Sequence, residues 1–199
     1  MNEELSYEQR ADIGKITNGL FVVVVLNMII SLFLALTGGA DEKNTSITIA
    51  ASVISGLFML VYGGLLIKLE KYSPGYKLPG ILCVVFTIFN TFHEVNSKNN
   101  FIISIIVLVL HVYKEYKEID AHTCLLRREH IYIIDWQKVA GLLTGYVVVS
   151  IISLFASILL PVIGAFGVLV AAVILLIYNI KKWIYLRRTA RVFMEDSIE

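Results

Sequence analysis

Apolar residues fall into six blocks along the chain, near 16–36, 47–69, 78–92, 101–113, 139–160 and 162–183. Short polar stretches separate them. A helix needs about 20 apolar residues to cross the ~30 Å hydrocarbon layer of a bilayer, so the pattern predicts an all-α polytopic membrane protein with six transmembrane helices. Gly38-Gly39 with Asp41-Glu42-Lys43 marks the first turn, and Ser73-Pro74-Gly75 the second. Pro79 fits a first helical turn, where no hydrogen bond is lost. His93 to Asn100 is polar, and Pro161 ends the fifth block just before the sixth begins. The fourth block is short. It can continue as a helix through Lys114-Glu115-Tyr116-Lys117-Glu118, where Lys114 and Glu118 are four apart and able to pair. The third and fourth blocks also fit a four-span alternative in which both re-enter the membrane.

The blocks repeat. Ile29-Ile30-Ser31-Leu32-Phe33 recurs as Ile151-Ile152-Ser153-Leu154-Phe155, each ten residues after a glycine, Gly19 and Gly141. Gly80 lies midway between those glycines. Lys15, Lys77 and Lys138 each precede one of the three by three or four residues. Each second helix carries a tyrosine near its end: Tyr62, Tyr113 and Tyr178. The expected architecture is therefore three tandem helical hairpins, each entering the membrane from the same side. Hairpin 1 is 16–72, hairpin 2 is 73–122 and hairpin 3 is 139–183. The remainder is an N-terminal segment 1–15, a loop 123–138 and a tail 184–199. Inverted repeats, common in secondary transporters, are not part of this pattern.

Charge gives the expected orientation. Six spans place every Lys and Arg except Lys43 and Lys98 on one side. The positive-inside rule makes that side, with both termini, cytoplasmic, and the plasma (inner) membrane is the expected location. Composition agrees: 57% of residues are hydrophobic and 17% charged. A net charge of +1 carries no argument for nucleic acid. The acidic N-terminal segment and long first block do not resemble a secretory signal, so the first helix is expected to stay uncleaved. Cys83 and Cys124 are too few for a disulfide framework and are read as free thiols.

Candidate sites are sparse. Ser150, Ser153 and Ser157 share one face of the fifth helix, and Asn27 and Ser31 share one face of the first. They line a pore or cavity, or they pack helices together. Packing is the weightier reading, since serine and asparagine bond across membrane helices. Gly141 and Gly145 form a GxxxG, and Gly164, Gly167 and Ala171 give the sixth helix a small-residue face. His111 is the only ionisable residue well within a predicted span, and no Asp, Glu, Lys or Arg is expected deep in one. It joins the lining candidates. Arg127, Arg128, Lys181, Lys182, Arg187, Arg188 and Arg191 form a basic cytosolic face suited to a nucleotide, an oligonucleotide or anionic lipid. The run 131–136 is expected to lie on the membrane or pack under the helices. His93-Glu94 lacks the second histidine of a zinc-protease motif. His122, Cys124 and His130 match no strong metal spacing. No catalytic cluster, metal site or cofactor is expected.

These features lead to an expectation of a homo-oligomeric membrane pore or ion channel gated at the basic face. Small bacterial stress or defence effectors share this outline. The alternative is a non-channel binding protein, either a toxin-immunity factor or the membrane-embedded substrate-binding subunit of a transporter.

Overall fold

A computed structural model describes residues 5–38, 45–96 and 101–195, all-helical but for short connections. The helices are α1 (Tyr7–Gly38), α2 (Thr45–Leu69), α3 (Lys77–Asn96), α4 (Phe101–Arg128), α5 (Gln137–Leu159) and α6 (Pro161–Glu195). Three of them, α1, α5 and α6, are long and apolar enough to cross a membrane. The apolar stretches within α2 and α3 are shorter, Val53–Leu69 and Lys77–Phe89. The turn at Asp41-Glu42-Lys43, and Lys98, lie outside the described residues.

α1, α4 and α6 outrun their apolar blocks, the first two for reasons written in local chemistry. α1 starts at Tyr7 because Ser6 and Gln9 form a reciprocal cap. Ser6 N donates to Gln9 Oε1 at 2.9 Å, and Gln9 N donates to Ser6 Oγ at 3.4 Å. α4 corrects a larger expectation. The segment expected as a loop over 123–138 is helix as far as Arg128, and only 129–136 connects α4 to α5. Its charged residues interrupt the apolar run without breaking the 3.6-residue period. Lys114, Glu115, Glu118, Ile119, His122, Leu125 and Leu126 are all buried on one side of the helix. α6 likewise runs unbroken for 35 residues, about 52 Å at 1.5 Å per residue.

The helices form a closed ring in chain order: each packs on its neighbours in sequence, and α6 packs back on α1. The α5–α6 seam is the most extensive. α4 is held most loosely, by α3 and α5. Close approaches use small residues. Gly63 and Gly80 meet where α2 crosses α3, and a Cβ on Gly63 would lie 2.8 Å from the Gly80 carbonyl oxygen. Gly164 and Gly167 of α6 sit directly against Ser157 and Ser153 of α5. Gly14 packs on Ala190 and Met194. Among the described residues nothing lies within 4 Å of a Cβ placed on Gly141 or Gly145, so the GxxxG of α5 makes no close helix contact there.

Burial is lopsided. The end holding the start of α1 and the end of α6, here termed the base, contains nearly all of the described core. Ile13, Ile16 and Leu20 meet Leu66, Leu69, Tyr76, Ile119, Leu125, Trp136, Val139, Leu186 and Phe193 there. Toward the far end, large apolar side chains face outward on every helix. In α4, Leu108, Val109 and Leu110 are 51%, 61% and 38% exposed, and the His111 side chain is 53% exposed. Four consecutive residues cover most of a helix's circumference, so this stretch of α4 stands clear of its neighbours. Ser73-Pro74-Gly75 turns as expected, with Gly75 at φ 107°, a backbone state that glycine adopts without a Cβ penalty.

Candidate functional site

A ring of six helices leaves a wider axis than a four-helix bundle, and long side chains fill it near the base. Lys114, Glu115 and Glu118 of α4 point inward, as do Lys182 and Tyr178 of α6 and Tyr62 of α2. Among the described residues the backbones of α2, α4 and α6 do not touch one another; these side chains bridge them. Lys182 Nζ lies 2.6 Å from Glu115 Oε2 and 2.9 Å from Glu118 Oε1. Lys114 Nζ lies 2.5 Å from Glu115 Oε1 and 3.6 Å from Glu118 Oε2. Tyr178 donates its hydroxyl hydrogen to Glu115 Oε2 at 2.5 Å, and Tyr62 donates to Glu118. Both ammonium groups also sit over the Tyr62 ring, at 5.6 and 5.5 Å from its centroid. Two cations and two anions cancel in charge, and each carboxylate gains donors that replace lost water.

His111 sits above this cluster, toward the far end. Its Nε2 is 3.9 Å from Glu115 Oε1, and its ring meets the edge of Phe86. His122 sits below, one turn past Glu118. It stacks on Trp136 at 4.3 Å between centroids with planes 8° apart, and its Nδ1 is 2.8 Å from the Tyr76 hydroxyl. Trp136 in turn donates to Thr189 Oγ1 at 3.4 Å and meets the edge of Tyr185. Burial pushes the His122 imidazole down to about 4, so it is neutral at ordinary pH. Burial also raises the Tyr76 phenol well above its usual range.

Three of the expected lining residues, Asn27, Ser153 and Ser157, are in helix seams. Asn27 accepts from Ser55 Oγ at 2.6 Å and ties α1 to α2. Ser153 Oγ bonds back to the Val149 carbonyl at 2.6 Å and Ser157 Oγ to the Ser153 carbonyl at 2.8 Å, both against α6 glycines. Ser150 is half-buried, and the side chain of Ser31 lies outside the described residues.

The basic face also divides. Lys182 leaves it, because it is turned inward and held by two carboxylates. Arg128 Nη1 donates to the Tyr72 carbonyl at 2.9 Å. Lys181, Arg187, Arg188 and Arg191 are exposed. Arg127 is exposed as well, beside a groove of about 190 Å³ lined also by Leu126, Ile131, Trp136 and Gln137. The run 131–136 splits: Ile134 and Trp136 are buried under the helices, whereas Tyr132 and Ile133 are 70% and 87% exposed. Among the described residues no three His, Cys, Asp or Glu side chains gather to hold a metal ion.

Sequence reasoning paired Lys114 with Glu118 along the helix, and the two lie 3.6 Å apart; it missed Glu115, Tyr62 and Tyr178, and it missed Lys182 as a partner of both acids. A signal existed. The tyrosines recur at matching places in hairpins 1 and 3, and the acids sit at helical spacing beside Ile119. What defines the protein at this point is a ring of six helices, partly apolar enough for a membrane, closed on its axis by a neutral ionic cluster. Comparison with protein-family models, curated proteins and solved structures finds no match for the chain.

Proposed function

We propose that the chain is a six-span membrane protein that conducts ions and is held shut by the cluster of Lys114, Glu115, Glu118 and Lys182. The carrying observation is a charge-balanced knot on the axis of the helix ring, at the level where outward-facing residues change from apolar to charged. Charged groups at membrane depth are costly and are retained chiefly along ion or substrate paths. The ring supports six spans. α2 and α3 pack together and α2 packs on α1, while α4 contacts α3 and α5, so each of the three adjoins a helix apolar enough to cross a membrane or one packed on it. The positive-inside rule puts the base in the cytosol.

In this reading α4 is the gate helix. It has the weakest packing in the ring, and it is latched to α6 through Lys182. The serines of α5 belong to the frame, and the α4 stripe of His111, Glu115 and Glu118 borders the path. The open space at Gly141 and Gly145 supports assembly of several copies through α5.

The test is ion flux from liposomes containing the purified chain. Lys182→Gln, which removes the latch, is expected to raise basal flux several-fold above wild type. Liposomes that stay tight for both proteins would end the channel reading.

A further inference from the structure

The exposed face of α6 changes character within one turn. Ile177, Ile180 and Ile184 face outward, and then come Arg187, Arg188 and Arg191. Ile184 and Arg187 are three residues apart, a rise of about 4.5 Å. The Arg187 guanidinium lies 5.8 Å over the ring of Phe21 on α1, which orients it beside the apolar belt. Lys15 and Lys181 are exposed on these same two helices. Several acids of the base are committed elsewhere. Asp12 accepts from Tyr72, Glu129 pairs with Arg10, Asp135 pairs with Lys138, and Glu115 and Glu118 hold the cluster. Among the described residues Arg187, Arg188 and Arg191 form no ion pair, and Glu195, one turn past Arg191, is the nearest acid along the helix.

We infer that this stripe is a binding site for the headgroup of an anionic phospholipid from the cytosolic leaflet. The phosphate lies among Arg187, Arg188 and Arg191, and an acyl chain runs along Ile184, Ile180 and Ile177. Guanidinium groups suit this task because their planar fork donates two parallel hydrogen bonds to phosphate oxygens. Lipid supplies both halves of the required ligand, the anion and the chain beside it. The inference rests on the membrane orientation proposed above but not on ion conduction. It also gives the latch a regulator. Lys182 lies on the same helix, about one and a half to two and a half turns from these arginines, so a lipid that fixes this part of α6 also fixes the partner of Glu115 and Glu118.

The test is thermal unfolding of the purified full chain in detergent micelles doped with phosphatidylglycerol or with phosphatidylcholine. Phosphatidylglycerol is expected to raise the midpoint by several degrees over phosphatidylcholine, and added salt to reduce the difference. The double variant Arg187→Gln, Arg191→Gln should lose that difference, while Lys138→Gln keeps it. The readout is the difference between lipids for each protein, so a small loss of basal stability does not affect it. A difference that survives in the double variant overturns the site. So does an equal effect of inorganic phosphate or glycerol phosphate without acyl chains, which makes the ligand a free phosphate. Silent liposomes with an intact lipid difference remove the channel reading and leave this site standing. Loss of the chain from membranes on alkaline extraction removes the orientation on which it depends.

Discussion

Lys182 and His122 show how burial converts ordinary side chains into determinants of stability. Lys182 is an ammonium held by two carboxylates. Removing one partner of a buried ion pair leaves an uncompensated charge and costs about 3 kcal/mol or more. Lys182→Met should therefore lower the unfolding midpoint in detergent sharply. Adding Glu115→Gln, which restores charge balance, should recover much of the loss. Full stability in the single variant would show that the cluster is not buried as described. His122 behaves differently. Its folded form resists the proton down to about 4, whereas an unfolded histidine takes one up near 6.5. Between those values the unfolded chain binds more protons, so stability falls as pH drops from about 6.5 to about 4 and loses nothing more from this group below that. The full loss is about 3 kcal/mol, and His122→Gln should flatten this part of a stability–pH curve.

Among the helices, α5 separates two roles that look alike in sequence. Ser153 and Ser157 pack on the glycines of α6, and no larger side chain fits at Gly164 or Gly167. Gly167→Leu is expected to force the α5–α6 hairpin apart and to prevent recovery of folded protein. Gly141→Leu meets open space, so the fold should persist. If copies associate through that face, Gly141→Leu should instead shift the chain to smaller species in size-exclusion chromatography with light scattering. An unchanged size would remove α5 as the contact. α4 carries a parallel lesson. Its charges interrupt the apolar block, yet their spacing keeps one face continuous, and tertiary contacts make that face the interior.

For the whole molecule, the lopsided burial makes a prediction about topology. Cys124 is exposed on the base, and Cys83 is buried, with its Sγ 3.3 Å from the Met59 carbonyl. A membrane-impermeant maleimide should label Cys124 in inverted vesicles and not in right-side-out cells. Cys83 should react only after denaturation. Labelling of Cys124 from outside the cell would reverse the proposed orientation. Much of the architecture is legible in the sequence, because helices, turns and hairpin order depend on local chemistry. The apolar blocks set six helices, Ser73-Pro74-Gly75 turns the chain, and Pro161 ends α5, whereas the start of α1 at Tyr7, within the segment 1–15 expected outside the first helix, went unread. The partners of charged residues are not legible in this way. Lys182 and Lys181 are neighbours in sequence, with the same side chain and helix. One is buried between two glutamates and the other faces outward, because ring closure turns only the Lys182 side of α6 toward α4. Which face points inward depends on how all six helices meet. A buried ion pair forms only where chain segments far apart in sequence bring compensating charges to one point, and that is a property of the tertiary fold.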